Sequence, residues 1–117
     1  MEYGLLGEKL GHSYSKEIHE QLADYTYDLC PVSREDFDAF MTKHDFKAIN
    51  VTIPYKQDVI PYLDAMDDNA ASIGAVNTIV NKNGRLEGHN TDFSGFLYMI
   101  EKLSLIHISE PTRHSLI

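Results

Sequence analysis

Short apolar runs alternate with amphipathic helical segments over the first fifty residues, and few folds accommodate that alternation. Strands are predicted at 3–6, 27–30 and 47–52, with a helix in each interval between them. Strands separated by helices at this spacing imply right-handed crossovers and a parallel sheet with helices on both faces. The sequence therefore predicts an α/β domain of three layers, αβα.

The pattern changes in the second half of the chain. Asn83-Gly84 separates two short segments, 75–81 and 85–88. An Asn-Gly pair in this position is typical of a β-hairpin, because the turn needs positive φ at both residues. Apolar periodicity predicts two further helices, at 67–73 and 92–102. We expect a mainly parallel sheet of about six strands with a late antiparallel hairpin.

Composition excludes several classes of partner. The 117 residues include ten Lys and Arg and eighteen Asp and Glu, a formal net charge of −8. This is the wrong sign for binding nucleic acid or an anionic membrane surface, and no apolar run approaches the ~20 residues of a membrane span. The N-terminus lacks signal-peptide features, and a single cysteine, Cys30, cannot form an internal disulfide. We therefore expect a cytoplasmic protein.

The last fifteen residues differ in origin from the rest. Residues 103–113 read Leu-Ser-Leu-Ile-His-Ile-Ser-Glu-Pro-Thr-Arg, and they resemble the in-frame translation of a transposase sequencing adapter. We expect the gene-encoded sequence to stop at or just before Lys102, leaving 103–117 as a non-native tail. Its removal takes away Glu110 and Arg113, one charge of each sign, so residues 1–102 keep the net charge of −8.

Three polar clusters fall where strands meet loops, and ligands bind parallel sheets at the carboxyl ends of the strands. The first contains Ser13 and Ser15, whose hydroxyls and neighbouring N–H groups could bind a carboxylate or phosphate, or could simply cap a helix. The others are segments 50–56 and 88–92, which end in a lysine and an aspartate. These clusters are the candidate ligand site.

Lys56 and Asp92 together suggest proton transfer. A lysine facing an aspartate in a cleft can take up and return the proton of a substrate hydroxyl, with the carboxylate orienting the ammonium. Asn77 could bring an uncharged donor and acceptor to the same cleft. Taken singly, Lys56 reads as a surface lysine and Asp92 as a helix N-cap.

Nucleotide and metal sites are not expected in this chain. No G-x-G-x-x-G follows a strand, and no P-loop is present. Cys30 lacks an obvious base beside it and is expected to be a packed residue rather than a nucleophile. The histidines before residue 103 show no metal-ligand spacing: His12, His19, His44 and His89.

Four motifs occur along the chain: Ser13-Tyr14-Ser15, Asn50 through Lys56, Gly74 through Thr78, and Asn90-Thr91-Asp92 followed by Gly95. In this order they resemble the N-terminal substrate-binding domain of the shikimate dehydrogenase family, and the resemblance spans residues 1–102. It implies the aminoacid dehydrogenase-like N-terminal fold and NADP-dependent, reversible reduction of 3-dehydroshikimate to shikimate in aromatic amino-acid (chorismate) biosynthesis. Quinate/shikimate dehydrogenase and a non-catalytic shikimate-binding module are the alternatives.

The resemblance also implies a role for each matching residue. Lys56 would be the acid/base at the carbon-3 oxygen, with Asp92 as its partner. Asp68 matches a position that approaches the nicotinamide cofactor in some relatives. Lys16 departs from the proline that many members have, and its charge would favour a bound anion. The substrate contacts would be Ser13 and Ser15 to the carboxylate, and Thr52, Lys56, Asn77 and Asp92 to the ring hydroxyls.

In the family, a Rossmann domain that binds NADP(H) follows this domain, and these residues do not contain it. Hydride transfer needs the cofactor placed against the substrate, so we expect the fragment alone to be inactive. Shikimate or 3-dehydroshikimate is the expected small-molecule partner, and the full-length form could be a homodimer.

Overall fold

The computed structural model describes residues 2–10, 16, 20 and 26–107, with the backbone alone at 93 and 103–107. The predicted serine cluster at Ser13 and Ser15 lies outside these residues. Most of the helix predicted to follow it also lies outside them, although Lys16 and Glu20 are helical.

The described strands form one mixed sheet in the order β2-β1-β3-β5-β6-β4. Three neighbouring pairs are parallel: β1 with β2, β1 with β3, and β4 with β6. β5 is antiparallel to both β3 and β6. The predicted mainly parallel sheet with an antiparallel hairpin is confirmed. The strands are β1 (Tyr3–Gly7), β2 (Asp28–Pro31), β3 (Ala48–Val51), β4 (Ala65–Met66), β5 (Thr78–Lys82) and β6 (Arg85–His89).

Side-chain caps fix where two of the helices begin. The Ser33 hydroxyl accepts a hydrogen bond from the Asp36 N–H at 3.3 Å, and the Asp67 carboxylate accepts one from the Ala70 N–H at 2.7 Å. Each bond satisfies one N–H that the first helical turn leaves unpaired. The helices are α1 (Arg34–Lys43), α2 (Asp68–Ile73) and α3 (Phe93–His107), and a short 3-10 helix spans Ile60–Tyr62.

Two predicted boundaries were wrong by more than one residue. α3 continues to His107 rather than ending at Lys102, because no glycine or proline interrupts the chain before Pro111. β5 begins at Thr78 rather than at residue 75. The Val76 N–H, ahead of β5, instead donates to a carbonyl outside the sheet.

Each face of the sheet is covered by its own hydrophobic cluster. Leu6 and Ile49 point to the face that packs against Phe37 of α1 and against α2. Residues one position away along the strands, such as Leu5, point to the opposite face and pack against Phe96 of α3. This alternation is the period-2 geometry of a strand. It produces the predicted three layers.

One edge of the sheet gathers the ends of several strands. β1 has a parallel partner on each side, β2 and β3, so the chain changes direction there, and such a switch point leaves a crevice at the carboxyl ends. β6 runs in the same direction as β3, whereas β5 runs the opposite way. We call this edge the carboxyl edge. It contains Gly7, Val51 and His89 at strand ends and Thr78 at a strand start.

We expect Gly88→Ala to lower the free energy of unfolding by about 1–3 kcal/mol, the usual cost of overpacking a core. A Cβ at Gly88 would overlap Leu63 Cδ1 and lie 3.0 Å from Cγ2 of Val76, which is fully buried. Urea unfolding measures the change, with Ser72→Ala on the exposed face of α2 as the control. Equal stability of Gly88→Ala and the unmodified protein would contradict the packing described here.

Candidate functional site

β1 and β3 end side by side, and a glycine permits their close approach. The Thr52 N–H donates to the Leu6 carbonyl at 2.9 Å, continuing the strand pairing past the end of β3. A Cβ on Gly7 would lie 2.8 Å from Thr52 Cγ2 and 2.6 Å from Leu10 Cδ2, closer than real Cβ contacts. Thr52 therefore lies against the end of β1, half-buried at the carboxyl edge.

Tyr55 anchors the loop that carries Lys56. Its fully buried side chain stacks on Phe37, with ring centroids 4.2 Å apart, and its hydroxyl donates to the Val32 carbonyl at 2.7 Å. Burial raises the pKa of Tyr55, so the phenol remains a neutral donor at physiological pH. The Lys56 carbonyl accepts the Val76 N–H at 2.8 Å. Lys56 therefore directly follows a residue that is anchored in the core, and its own side chain is exposed.

Asn77 clamps the turn that leads into α3. Its Nδ2 donates to the Thr91 carbonyl at 2.8 Å, and its Oδ1 accepts the Thr91 N–H at 3.0 Å. Its backbone N–H donates to the His89 carbonyl at 3.0 Å. The half-buried amide is therefore largely occupied in fixing the segment before Asp92. One Nδ2 hydrogen has no partner among the described residues.

Asp92 is the N-cap of α3. Its Oδ1 accepts the Gly95 N–H at 2.8 Å, and its carbonyl accepts the Phe96 N–H at 2.9 Å. A Cβ on Gly95 would overlap Thr91 Oγ1, so the turn into α3 requires glycine at this position. The N-cap interpretation of Asp92 is confirmed. Because the cap occupies Oδ1 alone, it fixes the exposed carboxylate and leaves Oδ2 for a ligand.

The structure thus gathers four of the predicted site residues at the carboxyl edge: Thr52, Lys56, Asn77 and Asp92. Lys56 and Asp92 form no ion pair with each other, and none of the described residues pairs with the Lys56 ammonium. Asp68 is exposed in the first turn of α2.

Lys16 is engaged within the protein. Its ammonium donates to the Glu20 carboxylate at 3.0 Å and to the Tyr27 carbonyl at 2.8 Å. The Tyr27 N–H donates to the same carboxylate at 2.9 Å. The bond from the Tyr27 N–H and the bond from Lys16 lower the pKa of the Glu20 carboxyl. Lys16 is thus paired with the exposed Glu20 carboxylate, and the expectation that its charge favours a bound anion stays a prediction.

Cys30 is half-buried and packs against the cluster beneath α1. Burial raises the pKa of its thiol, and the nearby Asp28 carboxylate raises it further. A neutral thiol is a poor nucleophile, so the prediction of a packed residue is confirmed. Among the described residues, no three His, Cys, Asp or Glu side chains gather as a metal site would require.

A cavity of about 460 Å³ lies between α3 and the end of β6. Thr91 and Gly95 line it, together with His89, whose Nδ1 lies 2.9 Å from Asp67 Oδ2. Lys56 does not line it. This cavity therefore borders the candidate site through segment 88–92 and does not include Lys56.

Comparison with known proteins decides the family. A family model for the shikimate dehydrogenase substrate binding domain matches residues 5–79. The chain belongs to this family. The shikimate dehydrogenase (NADP(+)) of Clostridium beijerinckii is 46% identical over 102 residues, a match that covers 80% of this chain and 38% of that protein.

Solved structures of shikimate dehydrogenases share the fold. Shikimate dehydrogenase 1 of Peptoclostridium difficile is 37% identical with a TM-score of 0.70, and the match covers 87% of this chain and 41% of that one. The Thermus thermophilus enzyme, solved in complex with NADP(H) and shikimate, is 31% identical with a TM-score of 0.70, covering 87% and 42%. The chain spans about two fifths of the length of these relatives.

In the part of the chain that the structure describes, no helix has the length and apolar character needed to cross a membrane.

Asp92 variants separate the cap from the charge. We expect Asp92→Ala to lower the free energy of unfolding by about 1 kcal/mol through loss of the cap, and Asp92→Asn to change it by only a few tenths, because asparagine also caps helices. Urea unfolding measures both. Asp45→Ala removes an exposed carboxylate elsewhere and is the control for charge. If Asp92→Ala matches this control, Asp92 does not act as a cap.

Proposed function

We propose that this domain is the substrate-binding half of an NADP-dependent shikimate dehydrogenase, binding shikimate and 3-dehydroshikimate. The observation that carries the proposal is the exposed Lys56 ammonium, which no described residue pairs with, at the same sheet edge as the fixed carboxylate of Asp92. An open ammonium at the carboxyl edge is free to exchange protons with a substrate bound there. Family membership supports the same assignment.

The substrate is an anion, although the protein carries a net charge of −8. Its carboxylate must therefore be held locally, and we assign Ser13 and Ser15 to it. The uncharged ring hydroxyls suit neutral partners, so we assign them to the Thr52 hydroxyl and the remaining Nδ2 hydrogen of Asn77. A site of this kind recognises the pattern of hydroxyls more than the charge.

Lys56 is the proposed acid/base. When shikimate is oxidised, the neutral amine of Lys56 takes the proton of the carbon-3 hydroxyl, and in the reverse direction the ammonium returns it. Asp92 stabilises the protonated amine. The two side chains form no ion pair in this structure, and we propose that one substrate hydroxyl bridges them.

NADP(H), when bound, accepts or supplies the hydride. The described residues do not fit a dinucleotide: Gly7, Gly88 and Gly95 are explained by close packing, and Gly74 and Gly84 by positive φ. None of these glycines belongs to a strand-to-helix turn of the dinucleotide-binding type. We therefore assign cofactor binding to a further domain of the enzyme, and Asp68 is the residue of this domain proposed to face it.

We further propose that the full-length enzyme is cytoplasmic and homodimeric, and that residues 1–102 are the native domain followed by a non-native tail at 103–117. The domain alone is proposed to be inactive. Quinate differs from shikimate in ring hydroxylation, and a comparison of kcat/KM for the two acids decides the preferred substrate. A module that only binds is disfavoured, because binding does not require the proton-transfer pair of Lys56 and Asp92.

A chimera tests the catalytic proposal. Residues 1–102 replace the matching domain of the Clostridium beijerinckii relative, and NADP⁺-dependent oxidation of shikimate is measured. We expect activity, and we expect Lys56→Ala to lower kcat about a hundredfold or more while changing KM little, because proton transfer acts in the transition state.

Lys43→Ala is the matched control, since this exposed lysine ends α1 at the opposite edge of the sheet. Unchanged kcat in Lys56→Ala would remove Lys56 from the reaction. An inactive chimera that folds and binds NADP⁺ would contradict the proposed function.

A further inference from the structure

A line of hydrogen bonds runs behind the candidate site. The Tyr27 hydroxyl donates to Asn50 Oδ1 at 2.7 Å, and Asn50 Nδ2 donates to the Thr78 hydroxyl at 3.2 Å. The Thr78 hydroxyl donates in turn to Asn77 Oδ1 at 3.0 Å. The line ends at Thr91, whose backbone N–H and carbonyl are both bonded to the Asn77 amide.

Backbone groups decide which way the two amides face, and the two hydroxyls hold them there. A side-chain amide can be rotated by half a turn to exchange its oxygen and nitrogen, and a hydroxyl can serve either atom because it both donates and accepts. The Thr91 N–H and carbonyl fix the oxygen and nitrogen of the Asn77 amide. The Asn77 carbonyl accepts from Asn50 Nδ2 at 3.5 Å and fixes that amide. In this arrangement the Tyr27 and Thr78 hydroxyls each donate to an amide oxygen.

Burial makes the hydrogen bonds of these two hydroxyls costly to lose. Tyr27 and Thr78 are fully buried, so water cannot replace a missing partner, and an unpaired polar group there would be costly. The Asn50 and Asn77 side chains are half-buried, between these hydroxyls and the carboxyl edge. The remaining Nδ2 hydrogen of Asn77 therefore has a fixed direction before any ligand arrives.

Tyr27 also joins this line to the segment that follows the serine cluster. Its backbone is held at both ends, by the Glu20 carboxylate and the Lys16 ammonium. Its ring meets the ring of Phe96 in α3 edge-on, with centroids 6.4 Å apart. One buried residue thus contacts Lys16 and Glu20, the strand that carries Asn50, and the helix that Asp92 caps.

We propose that Tyr27 and Thr78 are positioning residues, whose hydroxyls hold the side-chain amides of Asn50 and Asn77 in place for recognition of substrate hydroxyls. The proposal rests on the proposed function. Neither residue is assigned a contact with substrate. They act by preorganisation, which lowers the ordering cost when a ligand binds.

The test uses the full 117-residue chain and NMR titration with shikimate. We expect Tyr27→Phe and Thr78→Val to weaken shikimate binding about tenfold, the effect of losing about one buried hydrogen bond. Thr78→Ser keeps the hydroxyl and should restore the affinity to within about twofold. The Thr91 amide and the Asn77 side-chain amide should shift in Tyr27→Phe and Thr78→Val.

Two matched controls remove the same groups elsewhere. Tyr62→Phe deletes a phenol that donates to exposed Asp38 at 2.6 Å, and Thr42→Val deletes an exposed hydroxyl on α1. Both should leave the affinity unchanged. Urea unfolding of every variant separates lost stability from lost affinity, and Tyr27→Phe remains informative if Thr78→Val does not fold.

Three results would overturn the proposal. Unshifted Thr91 and Asn77 amides in both variants would show that the line of bonds does not exist in solution. Shifted amides with unchanged shikimate affinity would show that the hydroxyls only stabilise the fold, which refutes positioning and leaves the proposed function standing. No response of the unmodified chain to millimolar shikimate would contradict both the proposed function and the positioning role.

Discussion

β1 lies between two parallel partners, and the site depends on that arrangement. Two successive crossovers of one hand place β2 on one side of β1 and β3 on the other, so the segments leaving β1 and β3 separate and leave a crevice at the carboxyl edge. The strands must also come close enough for Thr52 to lie against the end of β1. Gly7 makes this possible, because any side chain there would collide with Thr52 and Leu10.

The antiparallel strand β5 brings to the carboxyl edge residues that a parallel strand would place at the opposite edge. Because β5 runs against β3, its start rather than its end lies at the carboxyl edge. Asn77 and Thr78 therefore lie at the edge where β5 begins, and the hairpin returns the chain to the same edge at His89. The Asn77 amide then closes the gap between the two segments by its bonds to Thr91. Three chain segments far apart in sequence thus meet at one edge.

Much of this follows from local sequence rules. The Asn83-Gly84 turn has φ of 54° and 94°, the two positive values that the pair predicts. Ser33 and Asp67 cap their helices as hydroxyl and carboxylate residues do. Local rules also indicated that Lys56, Asn77 and Asp92 follow or precede strands, and this is enough to place them at the carboxyl edge once the strand order is known.

Other features depend on partners that the sequence does not reveal. The two-residue strand β4 is too short for a periodic signal and depends on pairing with β6, which follows it by about twenty residues. No sequence pattern indicated the buried hydrogen bond from Tyr55 to Val32. The cis peptide bond between Ile53 and Pro54 was not indicated either. The line from Tyr27 to Asn77 was also missed, because its members come from three separate elements. The tertiary fold alone brings these side chains together.

Chemical-shift mapping of the ¹⁵N-labelled chain during titration with shikimate tests most directly whether the carboxyl edge is the binding site. We expect the largest amide shifts at Thr52, Lys56, Asn77 and Asp92, and we expect no shift in the hairpin turn at Asn83 and Gly84 on the opposite edge. Shifts concentrated instead on Tyr98, Met99 and Lys102, in the cavity beside α3, would contradict it.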